Sequence, residues 1–149
     1  GSITGLFSVL VEGDDTNEPI TDAARGILDG HILLSRSIAQ RGRYPAVDIL
    51  KSVSRMMPDC NDEAENRLVQ LARTSAATYH DMAEMVRLGA YRRGSDREVD
   101  QAIDLHPKIE AFITQRMEEC YDLEESYHEL AKALGIENWR DALTPKSGV

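Results

Sequence analysis

Residues 62–89 read DEAENRLVQLARTSAATYHDMAEMVRLG, and their periodicity decides the fold class. Ala64, Leu68, Leu71, Ala72, Ser75, Tyr79, Met82, Ala83 and Val86 recur at steps of three and four, the repeat of one face of a helix. Gly89 then supplies a natural stop. Toward the C-terminus, Ser95 and Glu98 have the spacing of a capping box. Val99, Ala102, Ile103, Ile109, Phe112 and Ile113 give the next helix its buried face. Pro107 has no amide hydrogen and is expected to kink or divide that helix. A third helix is expected from about Asp122 to Leu134, ending at Gly135, and Asn138 is placed to cap a last turn that carries Trp139. Packing among these helices is expected to rest on Leu68, Tyr79, Ile109, Phe112 and Leu130.

Toward the N-terminus the chain changes character near Asp59. Ile3 to Val11 is a nearly continuous apolar, β-branched run, as expected of a strand buried on both faces. Glu12 to Pro19 is a polar loop. Its Asp14 and Asp15 are chemically able to bind a metal, but a polar turn explains them as well. Thr21-Asp22 can cap a short helix through about Leu28, broken at Asp29-Gly30. His31-Ile32-Leu33-Leu34 reads as a second short buried strand, followed by a short helix from Ser35 to Gly42. Tyr44-Pro45 cannot continue a helix, because the residue before proline is pushed to extended backbone, and Val47 to Leu50 is expected to be extended. The expectation from these patterns is an α+β chain, mostly helical: a βαβα edge of an α/β domain at residues 1–59, then an all-α domain at residues 60–149.

Composition narrows the partners. With 42% hydrophobic and 29% charged residues the chain has the balance of a folded domain. A net charge of −9 repels nucleic acid, and the only compact basic cluster, Arg92-Arg93, is too small for a nucleic-acid footprint. Glu118, Glu119, Glu124 and Glu125 read as a solvated acidic face. Cys60 and Cys120 form no Cys-x-x-Cys pair and suit a reducing compartment. No apolar run approaches the roughly 20 residues of a membrane span, and no signal peptide is evident, so the chain reads as cytoplasmic.

Several chemistries lack their sequence anchors. No glycine opens a Gly-x-x-x-x-Gly-Lys-Ser/Thr phosphate loop. The four histidines are scattered, without His-Glu-x-x-His, and Gly-x-Ser-x-Gly is absent. No calcium loop is present and no metal site is assigned.

What is present is a set of short motifs in a fixed order. Leu28-Asp29-Gly30-His31-Ile32-Leu33-Leu34-Ser35-Arg36 is followed by Gly42-Arg43-Tyr44-Pro45-Ala46-Val47-Asp48, by Ser52-Val53-Ser54-Arg55, and by Leu88-Gly89-Ala90-Tyr91-Arg92-Arg93-Gly94-Ser95-Asp96. Together with Gly1-Ser2-Ile3-Thr4 and Glu12-Gly13-Asp14-Asp15, this order resembles the catalytic-subunit superfamily of the rotary ATP synthases. Within it, the chain most resembles the flagellum-specific ATPases of type III protein export, over nearly its whole length to about Leu134. The injectisome branch of the same family is hardly separable by these motifs.

The resemblance implies that residues 1–59 are the edge of an α/β nucleotide-binding domain of the P-loop type, in a parent protein that hydrolyses ATP with Mg2+ in a homo-oligomeric ring, a hexamer in this family. It also implies a coiled-coil stalk, export chaperones and the export apparatus as partners, with a location in the cytoplasm at the inner membrane. The phosphate loop, the metal-binding aspartate and the water-activating carboxylate of the family would precede residue 1. The chain alone is therefore expected to hold no cofactor and to be inactive.

By residue type alone Arg55 reads as a surface or ion-paired arginine. The resemblance matches it to the arginine that reaches a neighbouring subunit's nucleotide, and a planar, permanently charged guanidinium suits the charge built up in phosphoryl transfer. Tyr44, followed by Pro45, matches the aromatic residue against adenine, although a tyrosine wedged between domains fits the residue type too. Register puts Gln115, Met117 and Cys120 near the base, with Met117 standing where catalytic relatives often carry an aromatic. Tyr91, Arg92 and Arg93 lie in the turn that would face the stalk, or else form a solvated interhelical turn. A pure protein-binding helical module is the reading from a different class.

Overall fold

The computed structural model describes residues 1–11 and 19–144. The expected polar loop with Asp14 and Asp15 therefore lies almost wholly outside the described residues.

Helix α4 (Glu63–Arg87) is the spine. Its start is a complete capping box: the Asp62 carboxylate accepts from the Glu65 amide at 2.8 Å, and the Glu65 carboxylate accepts from the Asp62 amide at 2.9 Å. These bonds satisfy two donors that a bare helix end would leave unpaired. Helix α5 (Arg97–Ile113) packs against α4, and α6 (Leu123–Leu134) packs against both. Asp122 and Glu125 repeat the capping box on α6, and Gly135 closes that helix at φ 72°, a left-handed conformation that a side chain would strain. The short α7 (Trp139–Leu143) follows Asn138, which stands at φ 48° without a side-chain cap bond, and folds back onto α4.

The core joins Ala64, Leu68 and Ala72 of α4 to Tyr127, Leu130 and Ala131 of α6 and to Trp139. Leu68 has no exposed surface. Trp139 donates its indole N–H to His128 Nδ1 at 2.9 Å, so the buried ring loses no hydrogen bond. Val99, Ala102, Leu105 and Ile109 are the buried residues of α5. Of the side chains expected to carry packing, Leu68, Ile109 and Leu130 are buried and Phe112 packs against the core. Tyr79 is half-buried and stacks on His106 instead, with centroids 3.5 Å apart.

Two helical details differ from the sequence reading. The cap of α5 is Asp96, not Ser95: its carboxylate accepts from the amides of Glu98 and Val99 at 2.8 and 3.3 Å, while the Ser95 amide closes a turn on the Arg92 carbonyl. Pro107 does not divide α5. Interior proline costs a helix about 3 kcal/mol, and burial of Leu105 and Ile109 on either side of Pro107, against two helices, outweighs that cost.

Ahead of α4 regular structure is sparse. The elements are α1 (Pro19–Ile27), β1 (Gly30–His31), α2 (Arg36–Gln40), β2 (Val53–Ser54) and α3 (Met57–Cys60). Strands β1 and β2 pair antiparallel, Gly30 opposite Ser54 and His31 opposite Val53. A Cβ on Gly30 would stand 2.6 Å from the Val53 carbonyl oxygen, so this crossing requires glycine. The expected buried strand at His31–Leu34 reduces to these two residues plus a bridge from Leu34 to Val47. The Leu33 amide goes to the Ser52 hydroxyl at 2.9 Å, which interrupts the ladder, and Ile32 and Leu34 are exposed.

Ile3 to Val11 is not a strand here. Ile3, Leu6, Phe7 and Leu10 are largely exposed. A strand exists only where a neighbour takes its backbone bonds, and among the described residues no segment pairs with this one. No helix among them is long and apolar enough to cross a membrane.

Candidate nucleotide and partner site

Arg55 follows β2 directly, so the hairpin with β1 fixes its backbone, and its amide donates to the Asp29 carbonyl at 2.8 Å. Its guanidinium is exposed and rests on the end of α1: Nη1 donates to the Gly26 carbonyl at 3.3 Å and Nη2 to the Arg25 carbonyl at 3.1 Å. The carbonyl end of a helix carries partial negative charge, which holds a cation without a carboxylate partner. These bonds face solvent and go to neutral acceptors, so the group can be exchanged onto a stronger anion.

Tyr44 is joined to Pro45 by a cis peptide bond, and the residue is 58% exposed, which makes its ring available to stack. Its carbonyl accepts from the Gln115 amide, just beyond α5, at 2.9 Å. The structure thus brings Tyr44, Pro45 and Gln115 together. The Gln115 side chain is engaged locally, donating to the Glu119 carbonyl at 2.9 Å. Gln115 also borders a hollow of about 340 Å3 at the end of α5, lined by Phe112, Thr114, Glu119, Tyr121 and Glu129 among others. Met117, at 99% exposure, and the exposed Cys120 do not line it. The Glu119 carboxylate accepts from the Arg116 amide and side chain, contacts that hold it below the usual carboxylate range.

The turn between α4 and α5 separates its three candidate residues. The Tyr91 hydroxyl donates to the Asp96 carbonyl at 2.9 Å and to the Asp100 carboxylate at 3.0 Å; burial and that carboxylate raise its pKa. Arg93 pairs with Asp104 at 2.6 Å. Both are thereby tied to α5, whereas the exposed Arg92 has no side-chain partner among the described residues. Among those residues no cluster of three His, Cys, Asp or Glu side chains could hold a metal.

Two arrangements escaped the sequence reading. Arg140 of α7 pairs with Asp62 and Glu65 at the start of α4, and with Glu124 at the start of α6, while lying 4.5 Å over the Trp139 ring. One cation thus gathers two acidic helix starts, and Glu124 leaves the purely solvated role expected of it. Asp62 is held below the usual carboxylate range, by the Glu65 amide first and Arg140 next. The second is the His106–Tyr79 stack: burial lowers the imidazole pKa, Arg41 adds to the shift, and Glu110 opposes it. Both rest on partners distant in sequence, and no local spacing announces them.

Comparison with known proteins decides the family. The model of the type III secretion system EscN ATPase C-terminal domain matches residues 61–132, and that of the ATP synthase α/β family nucleotide-binding domain matches residues 1–54. The chain belongs to the type III export ATPases of the ATP synthase α/β family. The flagellum-specific ATP synthase of Caulobacter vibrioides is 53% identical over 135 residues, which cover 91% of this chain and 30% of that protein. The SPI-2 type 3 secretion system ATPase of Salmonella typhimurium is 45% identical, over 80% of this chain and 28% of its own length. Among solved structures, the assembled ATPase EscN of enteropathogenic E. coli superposes with a TM-score of 0.81 at 36% identity, over 85% of this chain and 31% of that one. A second EscN structure is a complex with its central stalk EscO. The chain spans about a third of the length of the relatives it matches.

Proposed function

We propose that this chain is the C-terminal part of a flagellar protein-export ATPase, and that Arg55 acts on the nucleotide of a neighbouring subunit while Tyr44 stacks on the adenine held by its own. The observation that carries this reading is the separate display of the two groups. An exposed guanidinium rests, among the described residues, on helix carbonyls, and an exposed tyrosine is anchored through its backbone carbonyl to the start of the 114–122 loop. An arginine supplied in trans is worth about 10³ to 10⁵ in turnover in related phosphoryl transfers. The break between the two family matches, after residue 54 and before residue 61, supports a division into an ATPase-domain edge and a helical domain near residue 60.

ATP and Mg2+ are the cofactors of the parent protein, its phosphates and metal held by residues outside those described. EscN is known in an assembled form and with a central stalk, which supports a ring, a hexamer, and a coiled-coil partner here too. The 88–96 turn, where Arg92 has no side-chain partner among the described residues, is the surface offered to such a stalk, and export chaperones would meet the same helical domain. The protein would work in the cytoplasm at the export apparatus. The injectisome alternative is not better supported: the Salmonella SPI-2 relative is 45% identical, a value matched by the flagellum-specific ATP synthase of the same organism and exceeded by that of Caulobacter at 53%.

In the intact ATPase carrying this sequence, Arg55→Ala should lower kcat by about 10³ or more and leave nucleotide binding unchanged. Tyr44→Ala should raise KM for ATP. An Arg55→Ala enzyme with full kcat would refute the finger, and turnover by the chain alone would refute its dependence on the rest of the ring.

A further inference from the structure

The Arg43 side chain is only 12% exposed, and it touches both halves of the molecule. Nη1 and Nη2 donate to the carbonyls of Pro45 and Val47 at 3.3 and 2.9 Å, while Nε pairs with Glu110 of α5 at 3.3 Å. We propose that Arg43 and Glu110 are a positioning pair that sets the pose of the Tyr44 ring against the helical domain, and with it the hold on the adenine of ATP. The inference rests on the reading that Tyr44 stacks on that base.

The geometry supports it from two sides. The segment around Tyr44 is tied to the α5 region twice: through Arg43 to Glu110, and through the Tyr44 carbonyl to the Gln115 amide. Tyr44 is 58% exposed, so the backbone that carries it is the part of the residue fixed to the helical domain. A guanidinium is suited to the task, because its donors point in fixed in-plane directions and bind three acceptors without rearranging. Lysine in its place would keep the charge and lose the fork. Removing Glu110, which is 41% exposed, cuts the tether and leaves the 12%-exposed Arg43 guanidinium with the Pro45 and Val47 carbonyls, so the unfolding midpoint is read beside KM to separate lost stability from lost positioning.

The test is a double-mutant cycle on the intact ATPase, reading KM for ATP and kcat separately. Glu110→Ala should raise KM about threefold to tenfold, leave kcat near wild type, and add nothing when Tyr44→Ala is already present. Arg43→Lys should give the same pattern and serves if Glu110→Ala does not fold. A raised KM in Tyr44→Ala, with Glu110→Ala either silent or equally large in both backgrounds, overturns the positioning role alone. An unchanged KM in Tyr44→Ala overturns the stacking reading and the pair's role with it.

Discussion

Between Glu63 and Leu143, four helices bury Leu68, Leu130 and Trp139 against one another. Between Pro19 and Cys60, Ile38 is the only residue among the described side chains to be buried. The first region is held by apolar packing and capped helix ends. The second is held largely by hydrogen bonds, many from guanidinium groups to carbonyls: Arg55 to Arg25 and Gly26, Arg43 to Pro45 and Val47, and Arg73 of α4 to Leu50 and Ser52. The candidate site groups lie mostly on the second kind of structure. A packed core resists displacement, because each lost contact has no substitute. A bond from an exposed guanidinium to a carbonyl is readily traded for one to water or phosphate. Arg55 and Tyr44 therefore sit where small rearrangements cost little, beside a packed frame that resists displacement.

The largest effects should come from breaking the frame. Leu68→Ala should cost about 2–5 kcal/mol, read as a lowered denaturant midpoint of the far-ultraviolet circular dichroism signal. Gly135→Ala puts a side chain at a left-handed position and should cost about 1 kcal/mol by the same measurement.

The His106 prediction has a definite sign. Its folded pKa lies below the ordinary imidazole value, so the unfolded chain binds the proton more tightly. Stability is then present above the unfolded pKa and declines as pH falls from about 7.5 toward 5.5. Groups facing the ring are Tyr79 on α4, Glu110 on its own helix and Arg41 after α2. His106→Phe keeps the stack without a titrating group, and its melting temperature should change less over that range.

Smallest should be the effect of Arg55→Ala on the unfolding midpoint, which should stay near wild type because the side chain is exposed. A large shift there would erase the contrast between frame and site.

Much of the helical frame was legible in the sequence, because a three- and four-residue repeat depends on neighbours along the chain. Leu68, Ile109, Leu130, Gly135 and the α6 boundaries follow that repeat. Asp96 displaced Ser95 as the cap of α5 because adjacent polar residues compete for the same amides, and spacing does not rank them. The Ile3–Val11 run misled for a different reason: hydrophobicity states that a segment wants burial, but burial needs a partner surface. Arg140, His106 and the Arg43–Glu110 pair were invisible, since each joins residues brought together only by packing. The roles proposed for Arg55 and Tyr44 come from motif order rather than from any local chemical signature.

The central claim, that Arg55 serves a neighbour's nucleotide, is tested most directly by mixing two inactive forms of the intact ATPase. One carries Arg55→Ala; the other carries a disabled phosphate loop and an intact Arg55. If the arginine acts across the interface, mixed rings should regain ATP turnover that neither form shows alone, with a maximum near equal proportions. If mixed rings assemble and stay as inactive as their parents, Arg55 acts within its own subunit or not at all.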